Sequence, residues 1–281
     1  MSGTAGPGRR RLAIAVPTYN EAANVGPLLD ALDGELAGLA DVDATVLVID
    51  DASPDGTAAL VESLADRYRH LRVEVLRRPG KRGLGAAYAD GLARLLARPE
   101  IDLVLTMDAD LSHDPRHIPA MLDAARHAQV VVGSRYVPGG STADWAWYRR
   151  LVSRLGNLYA QAWLGSTITD STGGFNLFDA GLLRRVGVET MTADGYGFGL
   201  ELKHTAASTA RGVAQVPITF VDRRQGQSKI PRNTIWRNLV LVPALRGRLR
   251  AAGSGPRPRP APGGAERRSP SAAQGGDRAG S

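Results

Sequence analysis

Five short apolar runs, each separated from the next by a polar turn and a stretch of helical spacing, limit what this 281-residue chain can fold into. They are LAIAVP (12–17), TVLVID (45–50), RVEVL (72–76), IDLVLTM (101–107) and VVVGSR (130–135). Runs this short and this apolar read as buried strands, whereas the segments between them are long enough for helices. Strands that alternate with helices predict a doubly wound α/β fold, a mostly parallel sheet with helices on both faces and a ligand site beyond the carboxyl ends of the strands. Three runs end in polar clusters, PTYNE (17–21), DDASPDGT (50–57) and DADLSHDP (108–115), which such a sheet would gather on one edge.

Beyond residue 135 the alternation gives way to an amphipathic segment (145–164), a Gly-rich stretch (173–174), a helix near 198–209, a strand near 213–221 and a basic helix near 233–249. The expected organisation is a flexible N-terminus (1–10) and one domain (11–250). Its first half (11–135) would bind a nucleotide, and its second (136–250) would complete the site. The Pro/Gly/Arg-rich tail (251–281) cannot bury enough apolar surface to order itself. Part of the net charge of +7 sits on that tail, and the remaining basic residues are not interleaved with aromatics, so no nucleic-acid partner is expected. The chain has no cysteine, which excludes disulfides and thiolate metal sites and is compatible with a reducing cytosol. No run reaches the roughly 18 apolar residues of a membrane span.

Familiar phosphate signatures do not carry far. GLGAAY (83–88) follows the third strand and lacks a third glycine, and PGKRGLG (79–85) lacks the hydroxyl residue of a phosphate loop. The stretch TMDADLSHDP (106–115) is more informative, because Asp108 and Asp110 stand two apart just past a strand. Carboxylates at that spacing point to one side of an extended backbone and can share a hard divalent cation with a diphosphate. The alternative is that Asp110 caps the helix starting near Pro115 while Asp108 merely ends the strand. His113 and His117 are four apart, but Pro115 between them marks a helix start, so solvated or capping histidines are expected rather than a zinc pair.

Taken in order, VPTYNEAANV (16–25), VIDDASPDGT (48–57), GLGAAYADG (83–91) and MDADLSHDP (107–115) resemble the inverting glycosyltransferases of the GT-A fold, family 2. GSRYVPGG (133–140), the helix bearing Arg149 and Ser153, TDSTGGFNLF (169–178), GYGFGLELKHTA (195–206) and VPITFVDRRQGQSK (216–229) are similar to dolichyl- and polyprenyl-phosphate mannose synthases. The resemblance spans about residues 12–245. It implies a GT-A, Rossmann-like sheet and transfer of mannose from GDP-mannose to a polyprenyl phosphate with inversion, assisted by Mg2+ or Mn2+.

Position by position, the resemblance implies that Pro17, Tyr19, Glu21, Ile49 and Asp51 line the nucleoside pocket, with Asp108, Ala109 and Asp110 at the diphosphate. Asp108, Asp110 and Ser112 would lie at the metal. Arg135, Arg149 and Ser153 would hold the acceptor phosphate, Arg223 and Lys229 the donor's diphosphate, and Asp108, Asp110, Arg135 and Arg223 would carry the transfer. Asp170 and Glu201 are assigned to the architecture around the acceptor. One departure is Asn176 after Phe175, where the family commonly has arginine.

A phosphate monoester is already anionic at neutral pH, its second pKa being about 6, so an acceptor of this kind needs no general base. The motifs do not distinguish mannose from glucose, and UDP-glucose transfer to the same lipid is the nearest alternative. Transfer to a hydroxyl acceptor, which would need a base, and a non-catalytic nucleotide-binding module remain open. Trp145, Trp147 and Tyr148 begin one amphipathic segment, and IWRNLVLVPALRGRLR (235–250) forms another. The first fits either a membrane surface or the core, while the second favours an anionic headgroup layer. A peripheral place on the cytoplasmic face of a membrane is therefore expected, with room for a separate anchoring protein.

Overall fold

A computed structural model describes residues 8–142, 145–191, 193–221 and 234–253. One seven-stranded sheet carries the fold, in the order β3-β2-β1-β4-β6-β5-β7. The strands are β1 (Arg10–Thr18), β2 (Val42–Asp50), β3 (Leu71–Arg77), β4 (Leu103–Thr106), β5 (Val130–Ser134), β6 (Asn176–Asp179) and β7 (Val213–Pro217). The helices are α1 (Ala22–Leu36), α2 (Thr57–Leu64), α3 (Leu84–Leu96), α4 (Ile118–Ala124), α5 (Trp147–Leu164), α6 (Ala180–Val186), α7 (Tyr196–Thr209) and α8 (Thr234–Gly253). The five apolar runs thus become β1 to β5, and the segment near 213–221 yields the shorter β7.

The sequence pattern did not disclose β6. It runs antiparallel to both β4 and β5 and separates them in the sheet. Four residues, NLFD, are too few for a period-2 signature, and what places them is pairing on both sides with buried strands.

Alternation along each strand divides the apolar residues between two cores. Leu12, Ile14 and Val16 of β1 face one core with Val25, Leu28, Leu29 and Leu32 of α1 and Met121 of α4. Ala13 and Ala15 face the other, with Leu92 and Leu95 of α3 and Phe198 and Leu202 of α7. Each fully buried Leu or Phe contributes about 1.5–3 kcal/mol, which is what fixes the register. On β1 the second core has only alanines, and α3 approaches the sheet closely. A Cβ on Gly91 of α3 would stand 2.2 Å from Ile49 Cδ1. That glycine in GLGAAYADG serves helix-to-sheet packing rather than phosphate binding.

A third, smaller cluster joins Ala160 of α5, Leu200 of α7 and Val242 and Leu245 of α8. It packs α5 and α7 against α8.

Candidate active site

Loops leaving β1, β2 and β3 meet at the carboxyl edge of the sheet and are stitched together by backbone donors. Asn20 N–H donates to Ser53 Oγ, Glu21 N–H to Thr57 Oγ1 and Ala22 N–H to Asp55 Oδ2, each at 3.0 Å. Asp51 N–H donates to Thr18 O at 3.0 Å. The Asp51 carboxylate accepts from the Arg78 guanidinium and from the backbone N–H groups of Arg82 and Gly83, the last at 2.7 Å. Lys81 of that third loop lies over the Tyr19 ring, 3.6 Å from its centroid. Asn20, Ala52 and Leu111, in the loops after β1, β2 and β4, adopt left-handed φ of +56°, +58° and +62°. Such backbone costs about 1–3 kcal/mol per residue and gathers where function dictates the loop path.

Within this pocket the expected residues differ in what they offer. Tyr19 and Glu21 sit in the β1 loop, and Asn24 donates from α1 to Glu21 Oε2 at 2.7 Å. Pro17 and Ile49 pair across β1 and β2. The Ile49 side chain is buried under α3, so that residue presents main chain to the pocket edge rather than a side chain. Asp51 arranges the third loop.

The loop after β4 carries the paired carboxylates. Asp108 is part-exposed, its side chain 29% accessible, whereas Asp110 is buried. Asp110 Oδ1 accepts the Ser112 backbone N–H at 3.1 Å and also the Ser112 hydroxyl. Ser112, expected near the metal, is itself buried and orients the Asp110 carboxylate. Ala109 is buried in the first core. The capping alternative falls to another residue: Asp114 accepts Arg116 N–H at 3.0 Å and caps the turn that starts at Pro115.

Of the two histidines expected to be solvated or capping, His113 is buried and His117 half-buried. His113 is buried, stacks on Phe175 at 5.2 Å between centroids and meets Phe220 edge-on. Its Nδ1 accepts the Asp108 N–H at 3.0 Å, and burial pushes its pKa down despite the nearby Asp108 and Asp110. It is a neutral ring that holds the carboxylate loop from below, so the 3.9 Å approach of Nδ1 to Asp108 Oδ2 is not an ion pair. His117 Nε2 accepts Thr219 N–H at 3.1 Å. Both histidines thus meet the residues just past β7, His113 through the Phe220 ring and His117 through the Thr219 N–H.

Beside the carboxylates lies a cationic cluster. Arg135, just past β5, is buried and forks onto Asp170 through Nε and Nη2, both at 2.7 Å, and Nη2 also reaches Thr172 Oγ1 at 2.9 Å. Burial drives the Asp170 carboxyl up, but the Arg135 charge and hydrogen bonds, with Lys203 behind, bring it down to about 2. The Trp145 indole meets two guanidinium groups, Arg135 at 5.0 Å and Arg149 at 4.0 Å from its centroid. Tyr136 OH donates to Ser153 Oγ at 2.7 Å. Arg149, Ser153, Asn157 and Ala160 form the inner face of α5 at helical spacing, and Arg149 and Ser153 both border Arg135 and its aromatic neighbours. Arg223 and Lys229 lie outside the described residues.

The sequence reading did not single out Lys203. Its ammonium, fully buried on α7, donates to Asp170 O at 2.6 Å and Gly173 O at 2.9 Å. Asn176 Nδ2, at the position of the departure, reaches the same Gly173 carbonyl at 3.2 Å. Glu201 accepts Ala193 N–H at 2.8 Å and Arg248 Nη1 at 2.5 Å, which ties α7 to α8. One helical turn of α7 thus supplies both the expected acid and the unexpected base.

For a divalent cation the described residues offer two carboxylates and no group of three or more acidic or histidine side chains. This oxygen-only pair fits magnesium or manganese, which bind through one or two carboxylates and fill the remaining positions with substrate phosphate and water.

Residues 13–187 match the family described as Glycosyl transferase family 2. The chain is 38% identical to the undecaprenyl-phosphate mannosyltransferase of Micrococcus luteus over 83% of its length and 92% of the relative's. It is 37% identical to the polyprenol monophosphomannose synthase of Mycolicibacterium smegmatis, over 85% of this chain and 89% of that one. In fold it is similar to the mannosyltransferase PcManGT of Pyrobaculum calidifontis, solved with GDP-Man and Mn2+, with a TM-score of 0.54 at 18% identity, covering 88% of this chain and 76% of that one. With paired carboxylates beyond β4, three interlocked loops at the sheet edge and this extent of shared sequence, the chain belongs to glycosyl transferase family 2.

Proposed function

We propose that the protein transfers mannose from GDP-mannose to a polyprenyl phosphate, with inversion, at a membrane surface. The observation that carries this reading is the placement of the Arg135, Arg149 and Ser153 cluster between the carboxylate loop and the exposed apolar face of α5. An anionic head could sit among the arginines while its hydrocarbon chain runs along the helix. The mannosyl-lipid names of the two relatives support the same acceptor and sugar.

The nucleotide occupies the loops after β1 and β2, with Tyr19 offering a ring face and Glu21 a carboxylate, while the Asp51 carboxylate shapes the pocket by holding the loop after β3. Asp108 and Asp110 would hold a Mg2+ or Mn2+ ion, which when bound would supply positive charge for the departing diphosphate. Arg149 and Ser153 align the acceptor phosphate, with Arg223 and Lys229 of the 222–233 segment assigned to the diphosphate. A phosphate oxygen forms the bond to the anomeric carbon as the bond from that carbon to the GDP oxygen breaks, which inverts the centre in one displacement. No proton need be removed, in keeping with a His113 that is buried, neutral and already accepting a backbone N–H.

Access to the lipid comes from α5, an 18-residue helix about 27 Å long. Trp147 (71% exposed), Leu151, Leu155 (57%) and Leu158 (59%) share its outer face, with Tyr148 and Val152 beside them. Arg150 and Arg154 flank this face and are exposed. Arg246 of α8 lies over the Trp163 ring at 5.6 Å. Apolar residues rimmed by cations suit the interface of an anionic leaflet, so the helix lies on the membrane on its cytoplasmic side. No helix among the described residues is long and apolar enough to cross a membrane.

The test is transfer of labelled sugar from GDP-mannose, and in parallel UDP-glucose, to a short polyprenyl phosphate with and without Mg2+. Metal-dependent mannosyl lipid is the expected product. Glucosyl lipid alone would overturn the donor, and absence of product from either donor would overturn the reaction.

A further inference from the structure

A buried ammonium with no carboxylate in hydrogen-bonding contact is costly, because leaving water costs several kcal/mol and two neutral carbonyls repay only part of it. Lys203 is such a group, 0% exposed and donating to the carbonyls of Asp170 and Gly173. The two carbonyls require a donor but not a charged one. The charge itself therefore calls for an explanation in what the Asp170–Gly174 loop touches.

That loop connects both halves of the site. Asp170 grips Arg135 through both carboxylate oxygens, and its Oδ1 also accepts Gly173 N–H at 3.0 Å. Gly174 O accepts from Thr106 Oγ1 of β4 at 2.8 Å. A Cβ on Gly174 would stand 3.5 Å from Asp108 Oδ1 and 3.3 Å from His113 Cε1, so the loop backbone itself forms a wall of the carboxylate site. The buried set Arg135, Asp170 and Lys203 carries one net positive charge, two cations against one anion, beneath a place where two phosphate groups are to meet.

We propose that Lys203 is a positioning residue for sugar transfer: its ammonium pins the Asp170–Gly174 loop and keeps the buried cluster cationic, which sets Arg135 and Asp108 for the reacting phosphates. This deepens the proposed function and rests on it. Lys203 touches no substrate and acts through the loop.

The surroundings give a diagnostic pH window. Asp170 and Arg135 are the charged groups that face Lys203, and His204 follows it on α7. Burial lowers the Lys203 pKa to about 8 although Asp170 opposes the shift. Burial, with Lys203 adding to it, holds His204 near 3, and Asp170 lies near 2, so neither titrates between pH 7 and 9. The ammonium is charged below about 8 and is lost as the pH rises through it.

The experiment compares wild-type protein with Lys203→Met and Lys203→Arg in full-length form, following mannosyl transfer to polyprenyl phosphate from pH 6 to 10, GDP binding and thermal melting. The inference expects Lys203→Met to lose at least tenfold in kcat with GDP affinity within twofold of wild type. It further expects the wild-type rate to fall above about pH 8, and Lys203→Arg to retain activity and carry that limb to higher pH. A kcat for Lys203→Met within twofold of wild type overturns the inference, as does a Lys203→Arg limb that coincides with the wild-type one. Should Lys203→Met fail to fold, the Lys203→Arg limb alone decides. Absence of transfer by the wild-type protein would overturn the functional reading instead.

Discussion

Replacing Asp170 with asparagine isolates the charge that holds Arg135. The substitution keeps size and one acceptor but sets an amide against a guanidinium that now donates two 2.7 Å bonds to the carboxylate. It also leaves Arg135 and Lys203, both buried, without an anion between them. Removing one partner of a buried pair costs about 3–5 kcal/mol. In a domain of this size each kcal/mol moves the melting temperature by about 2–4 °C, so Asp170→Asn is expected to melt about 6–20 °C below wild type. The pH dependence carries a sign. The carboxyl is held near 2, below its ordinary value of 3.8, so its contribution is complete above 3.8 and is lost only as the pH falls from there toward 2. Thermal unfolding followed by circular dichroism at pH 5 and 7 therefore tests both parts. A gap under about 3 °C, or one that closes between pH 7 and pH 5, would show that this carboxylate is not the clamp described.

Asp110→Ala should abolish transfer in a chain that still folds but melts about 2–12 °C lower, because the buried Ser112 N–H and hydroxyl lose their acceptor, and substantial turnover in excess Mn2+ would remove the residue from the metal. Arg149→Ala should lower kcat/KM for the lipid phosphate by about 10- to 150-fold, the worth of a lost charge-assisted hydrogen bond of about 1.5–3 kcal/mol. Nucleotide affinity is the control for that variant, and an equal loss there would move Arg149 out of the acceptor site. Leu155→Glu and Leu158→Glu should each weaken binding to anionic vesicles by at least tenfold, since an inserted leucine contributes about 1.5–3 kcal/mol. Turnover of a short, detergent-free acceptor is the accompanying measurement, and vesicle binding at the wild-type level would refute the membrane face.

The strands and the paired aspartates were legible because their signals are local. A run such as TVLVID is apolar whichever way it is read, and Asp108 and Asp110 follow one strand directly. The helix of Arg149 and Ser153 was legible from spacing together with the family resemblance. His113 was expected to be solvated or capping because nothing local to SHDPRH signals the distant Phe175 and Phe220 rings that bury it. β6 was hidden by its length.

Lys203 was passed over for a related reason. In ELKHT it reads as one more helix cation, and only the packing of α7 beneath the Asp170–Gly174 loop makes it a buried charge. The same holds for the outer face of α5, whose leucines are core-like in sequence and exposed in the fold.

By itself, then, the sequence determined the alternating elements, the loops that end them and the identity of the acids and bases available, since each depends on neighbours a few residues away. The tertiary structure decided which charges are buried, which meet and which apolar face is left to water. Those outcomes depend on desolvation and on partners 30 or more residues distant, as with Arg135 and Asp170 at 35 positions apart.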